Sequence, residues 1–133
     1  MKRKIIKLPL QSFCFGVKNA IQETNRILSN PNINKPIHML GEIVHNKYIS
    51  AYFENKGLIV HKTGTRLEML KNINEGSVIF TAHGVSPEVM ELAKEKQLTT
   101  FNTTCPFVKN SVKLIQKYLN DDYIILYIGS KKH

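Results

Sequence analysis

Apolar residues fall into short blocks along the chain that switch between helical and strand-like spacing. Val17, Ala20, Ile21, Thr24 and Leu28 recur at helical intervals, and Pro31 and Pro36 bar that helix from continuing. Ile37 to Leu40 predicts a strand. Tyr48, Ile49, Tyr52 and Phe53 then mark one face of a second helix that stops at Gly57. Leu58-Ile59-Val60 is the next strand, and Thr65 to Leu70 a short helix. Ser77-Val78-Ile79-Phe80 lacks polar alternation, which suits burial on both faces of a parallel sheet. Ser86-Pro87-Glu88 opens a helix, with Ser as N-cap and Pro at the first helical position. Leu98 to Phe101 is strand-like, and Cys105-Pro106 opens a last helix carrying Val108, Val112, Ile115 and Leu119 as a stripe. Two further strands are expected at the ends, Lys4 to Leu8 and Tyr123 to Ile128.

Strands alternating with helices over short connections predict an α/β fold, a mostly parallel sheet of about four strands flanked by helices. Residues 1–104 read as a first α/β lobe and 105–133 as the beginning of a second. The final strand runs straight into Gly129-Ser130-Lys131-Lys132-His133, where a turn into another helix is expected, so the second lobe reads as truncated. The sheet edge left by truncation predicts self-association of the isolated chain.

Composition narrows the function classes. The 133 residues are 42% apolar, ordinary for a globular domain, and no run approaches the ~20 apolar residues of a membrane span. Met1-Lys2-Arg3-Lys4 resembles the start of a signal peptide, but Lys7 and Pro9 interrupt the apolar stretch, so a cytoplasmic protein is expected. Nineteen Lys and Arg against ten Asp and Glu give +9, which suits an anionic partner or a well-solvated surface. Lys109, Lys113 and Lys117 form a basic stripe without interleaved aromatics, the pattern of a solvated helix face rather than a nucleic-acid groove. Neither a P-loop nor GxGxxG occurs, so a nucleotide cofactor has no support.

Open parallel sheets bind ligands outside the carboxyl ends of their strands. Cys14, His45, His83 and Cys105 all fall in predicted strand-to-helix turns, and His133 follows the last strand; His38 and His61 lie within or just after strands. A cysteine just before a helix has unpaired backbone N–H groups and the helix dipole to favour its thiolate, the form that a metal or iron–sulfur cluster needs. A lone cysteine is more often a small buried hydrophobe, and two in equivalent turns weaken that reading. The spacing of 91 residues excludes a CxxC site. A histidine beside a helix N-terminus can donate to phosphate oxygens, or be bonded to a nearby carbonyl.

Four segments carry a family likeness: Phe13-Cys14-Phe15-Gly16-Val17-Lys18-Asn19-Ala20-Ile21, Gly41-Glu42-Ile43-Val44-His45-Asn46, Ala82-His83-Gly84-Val85-Ser86 and Thr104-Cys105-Pro106-Phe107-Val108. In this order they resemble the signatures of the 4-hydroxy-3-methylbut-2-enyl diphosphate reductases, the IspH/LytB family, and the likeness spans essentially the whole chain. The resemblance implies a three-lobed α/β fold and a [4Fe–4S] cluster held by three cysteines. It implies reductive removal of an allylic hydroxyl to give isopentenyl and dimethylallyl diphosphate, the last step of the methylerythritol phosphate route to isoprenoids. Electrons would come from ferredoxin or flavodoxin.

Carried over by position, Cys14 and Cys105 match two cluster ligands, His45 and His83 match histidines that contact the diphosphate, and His133 matches a third substrate-site histidine. Ser12 stands where the family usually has Gly, and Asn102-Thr103 replaces Asp-Ala before Thr104-Cys105. The resemblance puts the third cysteine, the catalytic Glu, a Thr and the Ser/Asn diphosphate contacts after His133, leaving no catalytic residue within this chain. On that reading the chain alone is inactive, and a second chain could supply the missing lobes. The alternatives are an inactive α/β diphosphate-binding module or gene remnant, and a basic nucleic-acid-binding domain for which no motif is present.

Overall fold

The computed structural model describes residues 5–6 and 12–129. Its elements are α1 (Phe15–Ser29), β1 (Ile37–Leu40), α2 (Lys47–Glu54), β2 (Leu58–His61), α3 (Arg66–Lys71), β3 (Ser77–Phe80), α4 (Pro87–Glu95), β4 (Thr99–Asn102) and α5 (Pro106–Asn120). The four strands form an entirely parallel sheet in the order β2-β1-β3-β4. Ile37 lies opposite Leu58 on one side and Ser77 on the other, and Ser77 lies opposite Thr99.

Period-two alternation divides the buried side chains between two faces. Ile37, Met39 and Ile79 pack with Ala20 and Ile27 of α1 and Phe53 of α2. Leu40, Val78 and Phe80 pack with Met69 and Leu70 of α3 and Val89 and Ala93 of α4. The two central strands are buried along their whole length, as the unbroken apolar run of β3 predicts.

The chain leaves β1 toward β2 with α2 on one face, crosses back under α3, and leaves β3 toward β4 with α4 on the other face. The direction of winding therefore reverses between β1 and β3. That pair is the topological switch point, where diverging loops leave a crevice outside the carboxyl ends of the strands.

Local signals at the helix starts are satisfied. The Asn46 side chain accepts from the backbone N–H groups of Tyr48 and Ile49, and Thr65 and Glu68 form a capping box. Ser86 occupies the N-cap position of α4 with Pro87 following, although its side chain makes no capping bond. Lys96 closes the other end of α3, its Nζ donating to the carbonyls of Leu70, Lys71 and Ile73 and to Asn74 Oδ1.

Two sequence expectations change. Tyr123 to Ile128 follows α5 as irregular backbone, with Ile124, Leu126 and Ile128 largely exposed. A β-rich sequence needs a neighbouring strand to complete its hydrogen bonds, and no strand among the described residues stands beside this segment. α5 forms as expected, but none of its residues is buried, and its stripe of Val108, Val112, Ile115 and Leu119 has no buried position. The Lys4 to Leu8 strand lies outside the described residues apart from Ile5 and Ile6, which are irregular. No helix among the described residues is long and apolar enough to cross a membrane.

Candidate functional site

Cys14 and Cys105 are the N-cap residues of α1 and α5, and neither side chain caps its helix or enters a disulfide. Both thiols are thus free for other chemistry, Cys14 exposed and Cys105 half-buried. Gly16 brings the two turns together. A Cβ built on this buried glycine would lie 2.6 Å from Cys105 Sγ and 2.9 Å from Cys105 Cβ, so the sulfur rests directly against α1 two residues beyond Cys14. Any side chain at position 16 would push the two cysteine turns apart.

The His83 turn is tied to the Cys105 turn through the backbone. The Cys105 N–H donates to the Ala82 carbonyl at 3.0 Å, and the Thr103 N–H to the Phe80 carbonyl at 3.0 Å. Gly84, at φ +79°, faces Thr104, whose Cγ2 lies 3.2 Å from where a Cβ would stand. The residues at the noted sequence departures take part in this turn. Thr103 Oγ1 donates to the Phe80 carbonyl at 2.7 Å, and Asn102 Oδ1 accepts from the Thr104 N–H at 3.0 Å. Asn102 therefore supplies the side-chain acceptor that such a turn uses, without a carboxylate charge.

His45 stands apart from this cluster. It lies in the loop between β1 and α2 with its ring 97% exposed, and its Nδ1 is 3.4 Å from Glu42 Oε2. Glu42 is fixed in turn by Ser50 Oγ at 2.7 Å. His133 lies outside the described residues. His38 and His61 pair with each other across β1 and β2, with Nδ1 and Nε2 3.0 Å apart.

A groove of about 890 Å³ opens beside the His83 turn, between α4 and α5. Arg66, His83, Lys109 and Lys113 line it together with the single carboxylate of Glu88. Arg66 reaches it from the start of α3, its Nη2 donating to Thr81 Oγ1 at 3.1 Å and lying 3.6 Å from where a Cβ on Gly41 would stand. A survey of cysteines and histidines alone overlooks both Gly16 and Arg66. Gly16 sits inside a quoted motif, and Arg66 follows a strand-to-helix connection, so the strand-end rule that selected the other residues also reaches it.

Among the described residues no group of three His, Cys, Asp or Glu side chains is placed to hold a metal ion. The arrangement sets the Cys105 thiol against the start of α1, whose N-cap is Cys14, with the His83 turn bonded to the Cys105 turn.

Comparison with known proteins settles the family. The LytB protein family model matches residues 5–133. The chain belongs to the LytB family. It is 44% identical over 130 residues to the 4-hydroxy-3-methylbut-2-enyl diphosphate reductase of Anoxybacillus flavithermus, covering 98% of this chain and 41% of that protein. The reductase of Bacillus cytotoxicus is 45% identical with the same coverage. A solved structure, the E-1-hydroxy-2-methyl-but-2-enyl-4-diphosphate reductase of Plasmodium falciparum, superposes with a TM-score of 0.80 at 32% identity, over 94% of this chain and 37% of that one. The chain thus spans about 41% of the length of the LytB relatives named here.

Proposed function

We propose that this chain is the amino-terminal part of a 4-hydroxy-3-methylbut-2-enyl diphosphate reductase and supplies two ligands of an iron–sulfur cluster together with part of the diphosphate site. The observation that carries this reading is the contact of Gly16 with Cys105 Sγ, which joins turns 91 residues apart in sequence. Two thiols at helix N-termini suit a soft iron cluster of the [4Fe–4S] type, and Cys14 and Cys105 are its ligands here. When bound, such a cluster, held in part by Cys14 and Cys105, would supply one-electron transfer and Lewis-acid chemistry.

The chemistry to be served is cleavage of an allylic C–O bond. Two electrons and two protons replace it with a C–H bond, and the oxygen leaves as water. The residues of this chain act on the other end of the substrate. His45 and His83 donate to the diphosphate, His133 is a third substrate-site histidine, and Glu42 orients the His45 ring. With only two cysteines in its sequence, the chain leaves a third thiolate to further polypeptide, in the same protein or a second chain. Residues 1–104 then constitute one lobe and 105–133 the start of the next. The surplus of nine positive charges suits an acidic electron donor of the ferredoxin or flavodoxin kind, in the cytoplasm.

Calorimetric titration with 4-hydroxy-3-methylbut-2-enyl diphosphate tests the reading. The chain should bind it, and His45→Ala and His83→Ala should each weaken binding at least about tenfold, the loss of one charge-assisted donor. Binding that neither substitution alters, or no binding, would overturn the diphosphate assignment.

A further inference from the structure

Arg66 carries a positive charge with no acidic partner among the described residues. Among the described residues its guanidinium makes one hydrogen bond, to Thr81 Oγ1, and no carboxylate lies within ion-pair distance. Nε is buried without a partner. A guanidinium offers five N–H donors in a planar fork, so most of its donor capacity is unspent. Burial lowers its pKa from the ordinary arginine value, the direction expected of a cation partly withdrawn from water. A cation held in that way without a counter-charge is expensive unless an anion completes the site.

Its position supplies the second argument. Thr81 is the first residue after β3 and Gly41 the first after β1, so the guanidinium spans the switch point between the two central strands. The loop bearing His45 leaves from one side of it and the loop bearing His83 from the other. Lys109 and Lys113 line the same groove, against the single carboxylate of Glu88. The excess of donors over acceptors there favours an anionic occupant.

From these observations we infer that Arg66 is a further anion-binding residue of this site, taking the diphosphate group of the ligand between the His45 and His83 loops while Thr81 fixes the guanidinium plane. The inference rests on the diphosphate reading above and adds to it the one arginine that both loops share. Lysine would keep the charge at position 66 but lose the planar fork, so Arg66→Lys should fall between the native residue and Arg66→Gln.

Inorganic diphosphate is the probe, titrated calorimetrically into the chain and into Arg66→Gln, Arg66→Lys, Thr81→Val and His83→Ala, with each variant's urea midpoint recorded to confirm folding. Weakening of about tenfold or more in Arg66→Gln, with smaller losses in Arg66→Lys and Thr81→Val, is the expected result. Wild-type affinity in folded Arg66→Gln overturns the inference and leaves the histidine reading intact if His83→Ala is weakened. Loss in Arg66→Gln with none in His83→Ala upholds Arg66 and overturns the role of His83. A wild-type chain that takes no diphosphate overturns both.

Discussion

Gly16 concentrates the account into one missing methyl group. Alanine there would place its Cβ 2.6 Å from Cys105 Sγ, closer than nonbonded atoms tolerate. The cost of overpacking such a contact is ~1–3 kcal/mol. Gly16→Ala should therefore lower the urea midpoint by a corresponding amount. It should also reduce any iron bound through the two thiols more than the stability loss alone explains. Equal stability and equal iron content would show that the two turns are not held by this contact. Residue type and strand-to-helix position select both cysteines in the sequence as candidates, and the structure puts each at a helix N-cap. That the Cys105 turn packs against the start of α1 was not legible, since the contact depends on a glycine whose role is to have no side chain.

Elements were the most legible level, and the reason is physical. Helix α1 and the strands β1 and β3 are set by apolar patterns that agree with their burial, whereas on the predicted α2 face only Phe53 is buried, Tyr48 and Tyr52 being exposed, and Ile59 of the edge strand β2 is exposed. Tyr123 to Ile128 has the same strand-like composition but no partner strand among the described residues, and β structure is completed only by a neighbour. Contacts between elements escaped the sequence for the same reason. Lys96, at the end of α4, holds the carbonyls at the end of α3, so Lys96→Met should cost ~1–3 kcal/mol, measured by urea unfolding. The His38–His61 pair between β1 and β2 makes a prediction in pH. Burial lowers the pKa of His38, with His61 adding to the effect and Glu75 opposing it, and burial also lowers that of His61. The folded chain thus binds fewer protons than the unfolded one below the ordinary histidine value of 6.5. The stability contributed by the pair is complete above that pH and is lost as pH falls through the lowered folded values. Urea midpoints should fall between about pH 6.5 and 5, and fall less in His61→Gln; an identical pH dependence in the variant would refute the coupling.

Across the whole molecule, the sheet and its two covered faces are self-sufficient, whereas α5 and residues 123–128 are exposed. Phe107, Leu114, Leu119, Ile124 and Leu126 each expose half or more of their surface. Apolar surface of that extent favours association, so the isolated chain should elute from size exclusion larger than its 15.2 kDa monomer. A monomer stable at high concentration would contradict this. The sequence reading expected exposure at an open sheet edge, whereas the exposed apolar residues lie on an amphipathic helix with no buried residue and on the segment after it. The position of α5 nevertheless places Cys105 at its N-cap against α1, and the proposed cluster ligation depends on that junction.

Anaerobic reconstitution with iron and sulfide tests it most directly, with excess small-molecule thiol to complete the coordination and Cys14→Ala and Cys105→Ala alongside. The native chain should bind iron with visible sulfur-to-iron charge-transfer absorption, and each variant should lose both. Iron and absorption retained in either variant, or no cysteine-dependent uptake by the native chain, would contradict it.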